Sequence, residues 1–331
     1  MNVPSASAVR LHVVTGKGGT GKTTVAAATA MSLAMQGQQV LLAEVEGRQG
    51  ISQVLDTAPL GPTERALVQD PSGGTLHGLA VEAEPALLEY LHKFYKLGRA
   101  GSVLDKVGAI DFATTIAPGV RDVLLIGKVY EAVGRTTSGR RKRPVYDSVV
   151  LDAPPTGRIG RFLAVNEEVS QVARVGPIRN QADSITRVLQ SAITRVHLVT
   201  LLEEMPVQET LDAVDELGDL SLRVGSVVAN AVRPPLLTDG QAQALTRGGD
   251  AARDELVAAL QLVDITTGPA TVEGLLREGE EHALRSGLQR EQLARLEGLA
   301  APLVTLPHLP GGVEDGDLRQ LAEAITEQGG L

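Results

Sequence analysis

The stretch VTGKGGTGKTT, residues 14–24, constrains the fold more than any other part of this 331-residue chain. An apolar, β-branched run, VRLHVVTG (9–16), precedes it, and an alanine-rich run ended by Gly37, TGKTTVAAATAMSLAMQG, follows it. Strand, glycine loop and helix in that order are the context in which G-x-x-x-x-G-K-[ST], here Gly16 to Thr23, holds phosphate. Glycines let the backbone curl so that its N–H groups point inward, and the helix adds its positive end. Lys22 is placed to reach the β- and γ-phosphates, and the Thr23 hydroxyl to ligate Mg²⁺. Gly16, Lys17, Gly18, Gly19, Thr20, Gly21 and Thr24 complete the loop expected against the nucleotide. Lys17 stands apart, because a phosphate loop of this kind does not need a second lysine.

The remainder of the chain alternates short apolar runs with longer helical patterns. QQVLLAEVEG (38–47), the weaker LHGLAVEAE (76–84), YDSVVLDAPP (146–155), RVHLVTLL (195–202), LRVGSVVANAV (222–232) and APLVTLPHLP (301–310) read as strands. They are apolar nearly throughout, as strands covered on both faces are. The expected fold is therefore α/β: a mostly parallel sheet with helices on both faces, and right-handed crossovers. Aromatic residues make up only 2% of the chain, so its core must be aliphatic. Residues 85–143 break the rhythm with helical patterns and no evident strand, and end in the basic stretch SGRRKRP (138–144), which reads as a solvated loop. The expected organisation is a nucleotide-binding domain formed by 1–84 and 144–331, with 85–143 inserted as a helical subdomain. A second helical stretch, 239–300, separates the last two strands.

Composition excludes several chemistries. A net charge of −9 argues against general nucleic-acid binding. With no cysteine there are no disulfides, thiolate zinc sites, iron–sulfur clusters or cysteine nucleophiles. The six histidines show no metal-ligand spacing. No apolar run reaches the roughly 20 residues that span a bilayer, and the N-terminus lacks a signal pattern. The expected location is cytoplasmic, without stable membrane insertion.

GKGGTGKTT resembles the deviant Walker A motif of the P-loop ATPases that include MinD, ParA, ArsA and the nitrogenase reductase. In that group the extra lysine crosses a dimer interface and touches the opposite subunit's nucleotide, which the resemblance assigns to Lys17. Other stretches resemble the ArsA/Get3 branch, the anion-transporting ATPase family. YDSVVLDAPPTGRIGRFL (146–163) is similar to its second switch, with Asp152 holding a Mg²⁺-bound water. VTLLEEMPVQETLDA (199–213) places Glu209 near the nucleotide; VGSVVANAV (224–232) ends near Asn230, the adenine-contacting amide; VTLPHLP (304–310) matches the final adenine loop, with Pro307 and Leu309. TTIAPGVRDVLLIGKVYE (114–131) is similar to a helix entry of the branch.

The departures are equally specific. Where the branch carries Asp-Pro-Ala-His-Ser after its second strand, this chain reads EVEGRQGIS (44–52), so Glu46 takes the position of the aspartate that orients the attacking water. Without cysteine, neither thiolate-bound arsenite nor a zinc clamp at a dimer seam is available. Only four methionines are present, none of them in 85–143, so a methionine-rich client groove is not indicated. The nearest substitute is LLEYLHKFYKLG (87–98), with Tyr90 and Phe94 one helical turn apart. The resemblance implies an ATPase that binds ATP/ADP and Mg²⁺. It implies a homodimer, or a heterodimer with a paralogous ATPase, that handles a protein client. Two alternatives stay open: a weakly active subunit that completes a paralogue's site, or a MinD/ParA-like spatial regulator. The acidic C-terminal helix disfavours the second of these, because membrane-binding members end in a basic one.

Overall fold

Strands that are apolar on both faces need two covering layers, and the protein supplies them. The computed structural model describes residues 9–45, 47, 49–95, 118–139, 141–164, 177–248, 250–265, 268–313 and 316–329. In chain order the elements are β1 (Leu11–Gly16), α1 (Lys22–Met35), β2 (Gln39–Val45), α2 (Gly50–Val54), β3 (Arg65–Gln69), β4 (Thr75–Val81), α3 (Ala83–Tyr95) and α4 (Pro118–Gly134). Then follow β5 (Ser148–Asp152), α5 (Thr156–Leu163), α6 (Pro177–Leu189), β6 (Thr194–Thr200), α7 (Glu204–Asp219), β7 (Val224–Val232), α8 (Asp239–Arg247), α9 (Asp250–Leu262), α10 (Pro269–Glu297), β8 (Leu303–Pro307) and α11 (Asp317–Glu327).

The strands form one eight-stranded sheet in the order β3-β4-β2-β5-β1-β6-β7-β8. Every pairing is parallel except the antiparallel β3–β4 hairpin at one edge. The glycine loop thus leaves a central strand at its C-terminal end, where open α/β sheets bind ligands. The expected α/β fold, mostly parallel with helices on both faces, is the one observed.

Sequence pattern did not reveal β3. RALVQ is half-exposed and pairs on one side only, so it lacks the continuous apolar run of a central strand. The second strand is also shorter than 38–47: β2 stops at Val45, and Glu46 lies outside the described residues.

One face of the sheet is covered by α4, α5, α6 and α7, whose Val123, Leu125, Ile126, Val129, Phe162, Ile185 and Leu217 join the strands in one core. The other is covered by α1, α2 and α11, through Ala27, Ala30, Leu33, Ile51, Leu321 and Ile325. The stretch 85–143 therefore contributes α4 directly to the core of the sheet. Its end is fixed by Arg135, which bonds Glu131 at 2.6 Å and Glu64 at 2.7 Å; Tyr146 donates to the same Glu64. The side chains of Tyr90 and Phe94 lie outside the described residues. Among the described residues, no helix is long and apolar enough to cross a membrane.

A polar chain crosses the middle of the sheet. His12 and His197 stack at 5.3 Å between ring centroids, with His12 Nδ1 3.1 Å from His197 Nε2. His197 Nδ1 lies 2.7 Å from Ser226 Oγ. Gly225 makes room for the second ring, since a Cβ there would stand 2.6 Å from His197 Cε1. Burial pushes the His12 pKa down from 6.5 to about 4 and that of His197 from 6.5 to about 3, with the Arg195 charge adding to both shifts.

Both rings are thus neutral in the fold, whereas unfolded histidine titrates near 6.5. Below that pH the unfolded chain binds more protons, so stability falls as pH drops from about 6.5 toward 4. We predict a loss on the order of 2–4 kcal/mol between pH 7 and pH 5 in urea titrations. The loss should be absent in the His12→Leu/His197→Leu double variant; an equal slope in both proteins would contradict the assignment.

Candidate nucleotide site

The loop after β1 is shaped by close backbone approaches. A Cβ on Gly16 would run into the Val199 carbonyl of β6, and one on Gly21 into the Asn230 amide of β7. Gly19 and Gly21 have φ of 87° and 85°, in the left-handed region that favours glycine. Gly18 and Gly19 meet nothing within 4 Å on the side a Cβ would occupy. Gly21 caps α1 without a side-chain hydrogen bond, so the helix presents a first turn capped by no side chain, with no acidic residue in it. Such an end attracts anions.

Side chains fasten this loop by its carbonyls. Asn230 Nδ2 donates to Thr20 O at 2.9 Å. Thr20 Oγ1 donates to Lys17 O at 2.9 Å, and Lys22 Nζ donates to the same carbonyl at 3.2 Å. Lys22 is itself buried. Lys17 Nζ turns instead toward α7 and pairs with Glu209 Oε1 at 2.6 Å; the two side chains are 33% and 36% exposed. A pair so open to solvent contributes only about 0.2–1 kcal/mol to stability.

The next strand over adds a carboxylate. Asp152 ends β5, and Thr23 Oγ1 donates to its Oδ2 at 2.6 Å. Thr15 Oγ1 donates to Pro154 O at 2.6 Å and ties the end of β1 to the segment after Asp152. A threonine hydroxyl and a carboxylate are the hard oxygen donors that Mg²⁺ takes, with its other positions left to water and phosphate. No group of three or more His, Cys, Asp or Glu suited to a metal occurs among the described residues.

Lys17, Thr20, Lys22, Thr23, Asp152, Glu209 and Asn230 are therefore brought together around one loop. Asn230 contacts the loop backbone, and Lys17 is engaged within its own chain. Pro307 ends β8, where it pairs in register with Val232, and the His308 N–H donates to Val232 O at 3.0 Å. Leu309 packs on the core of the sheet face that α1, α2 and α11 cover. β8 lies three strands from β1, about 14 Å away at strand spacing, so these two residues sit apart from the phosphate loop.

The model of the family described as anion-transporting ATPase matches residues 9–193. The chain belongs to the anion-transporting (ArsA) ATPase family. It is a nucleotide-binding ATPase. It is 47% identical over 323 residues to ATPase BagA of Mycobacterium tuberculosis (strain ATCC 25618 / H37Rv), covering 98% of this chain and 94% of that protein. It is also 27% identical over 235 residues to the arsenical pump-driving ATPase of Acidiphilium multivorum, covering 66% of this chain and 39% of that one.

Sequence reasoning missed one carboxylate of this ATPase site. Glu44 is 1% exposed and stands in register with Asp152 on the neighbouring strand. Its two oxygens accept the Gln49 N–H at 3.0 Å and the Ile51 N–H at 3.1 Å, capping α2. Gln49 has a φ of 56° and bonds Leu60 through both ends of its amide. This clamp lays Gly50 against Thr23: a Cβ there would stand 3.0 Å from Thr23 Cγ2. The available signal was a glutamate inside the apolar run VLLAEV, since a buried charge is rare unless bonded.

Glu44→Ala should leave the buried Ile51 N–H and the part-buried Gln49 N–H without their acceptor and cost about 1–3 kcal/mol, read from denaturant midpoints. ATP turnover should fall with it, because Gly50 loses its hold against Thr23. Unchanged stability and turnover would show that the clamp has no part in shaping the site.

Proposed function

We propose that this ATPase works as a Mg²⁺-dependent dimeric nucleotide switch that handles a protein partner in the cytoplasm. The observation that carries this reading is the division between the two loop lysines. Lys22 fills its own cradle, while Lys17 stands at the loop's outer edge, one third exposed. A cation there serves charge outside its own loop. Delivered across a dimer seam, it would neutralise the charge that spreads over the phosphates during transfer, and would make hydrolysis depend on closure of the two subunits.

In this reading the loop from Gly16 to Thr24 takes the phosphates. Thr23 and Asp152 would hold Mg²⁺, which supplies charge neutralisation at the β- and γ-phosphates. Asn230, Pro307 and Leu309 line the way to the base along the C-terminal ends of β7 and β8. Glu46 orients the attacking water. The partner subunit is a second copy or a paralogous ATPase.

The test compares three variants by titration calorimetry with ATP·Mg²⁺, sedimentation with a non-hydrolysable analogue, and steady-state turnover. Lys22→Ala should abolish nucleotide binding. Lys17→Ala should bind within a few-fold of wild type yet lose nucleotide-dependent dimerisation and turnover. Glu46→Gln should bind normally and turn over at least about tenfold more slowly, about 1.4 kcal/mol of barrier. If Lys17→Ala loses binding as severely as Lys22→Ala, Lys17 acts in its own subunit and the dimeric switch is refuted. If wild type binds ATP but does not hydrolyse it even with a paralogue, the better account is a subunit that only completes a partner's site.

A further inference from the structure

We propose that Glu209 is a positioning residue that holds Lys17 within its own subunit, and that phosphate entering the loop releases Lys17 by drawing Lys22 off the Lys17 carbonyl. The first half stands on this chain alone; the use to which a released Lys17 is put rests on the dimeric reading above.

Lys17 is tethered at both ends. Its ammonium meets Glu209 Oε1 at 2.6 Å. Its carbonyl accepts from Lys22 Nζ at 3.2 Å and from Thr20 Oγ1 at 2.9 Å. The lysine that must reach phosphate is thus bonded to the peptide that carries the other lysine. A phosphate oxygen is a charged acceptor and a peptide carbonyl a neutral one, and charge-assisted bonds are about twice as strong. Phosphate therefore wins the Lys22 ammonium, and the Lys17 peptide loses one of its fastenings.

The geometry decides which partner then moves. Glu209 belongs to α7, whose Val207, Ala213 and Leu217 are buried in the core of the sheet. The same helix lies close to α5, where the exposed Glu216 side chain comes over Gly160. Glu209 is thus mounted on a fixed support. Lys17 is followed by Gly18 and Gly19, where open space surrounds the position of a Cβ. Gly16, pressed on the Val199 carbonyl, is the fixed end of the moving segment. The Lys17–Glu209 pair is about one third exposed and therefore weak and salt-sensitive, as a releasable contact must be.

This assigns Glu209 a different role from direct contact with nucleotide, and the two are separable in one chain. The experiment is acetylation of surface lysines in the intact protein, read by mass spectrometry at Lys17, with and without ADP·Mg²⁺. ADP affinity is measured by calorimetry on the same variants, and thermal melting checks the fold. ADP·Mg²⁺ should raise Lys17 labelling severalfold in the wild type. Glu209→Gln should show raised labelling without nucleotide, with ADP affinity within about twofold. Glu209→Asp, which keeps the charge, should return labelling toward the wild-type value. In a Lys17→Ala background, Glu209→Gln should leave ADP affinity unchanged.

A tenfold loss of ADP affinity in Glu209→Gln that persists in Lys17→Ala would make Glu209 a direct nucleotide ligand and overturn the proposal. Labelling at Lys17 that ignores both ADP and Glu209→Gln would overturn it as well. None of these readouts needs a dimer. Failure of wild type to dimerise with ATP would remove the dimeric switch while leaving the tether standing.

Discussion

The bare N-terminal end of α1 is the feature around which the rest of the site is built. Gly21 holds a left-handed turn there and offers no side chain to the helix, so the positive end of the helix is left for an anion. Bonds from Asn230, Thr20 and Lys22 to its carbonyls, at Thr20 and Lys17, steady the loop. The close approach of Val199 O and of the Asn230 amide then forbids any side chain at Gly16 or Gly21. β6 and β7, two strands that carry no part of the motif, thus dictate two of its glycines.

On the other side of β1 the constraint is electrostatic. Glu44 and Asp152 stand in register on adjacent parallel strands. Two carboxylates at strand spacing repel unless each has its own donors. The structure separates them by direction: Asp152 accepts the Thr23 hydroxyl, while Glu44 accepts two backbone N–H groups from the start of α2. One carboxylate takes a hydroxyl from the first turn of α1 and the other caps α2. The cap still bears on the site, because the α2 entry that Glu44 fixes is the segment resting on Thr23.

How much of this was legible in the sequence follows from the physics of each element. The central strands were legible because both of their faces are buried and their sequences are therefore apolar throughout. β3 was not, because an edge strand packs on one side only and RALVQ reads as a half-exposed segment. The phosphate loop was legible because glycine spacing and lysine position are local. The Lys17–Glu209 pair joins residues 192 apart in the chain, and no local rule finds it. Resemblance had placed Glu209 near the nucleotide and Lys17 across an interface; their mutual contact needed the fold. Glu44 was hidden for another reason. Its partners are backbone N–H groups, which every residue but proline possesses, so the sequence carries no second letter to pair with it.

Helix α7 touches both the loop and α5. Near its beginning Glu209 meets Lys17, and one to two turns later Glu216 lies on Gly160 of α5. α5 begins four residues after Asp152, and Thr15 binds the intervening Pro154 carbonyl to β1. A closed circuit therefore runs from the loop through α7, α5 and the Asp152 segment back to β1. Packed interfaces of this kind shift between discrete arrangements rather than deforming smoothly. The Lys17–Glu209 pair at the head of this series is about one third exposed, and an ion pair so open to solvent and salt is a weak joint.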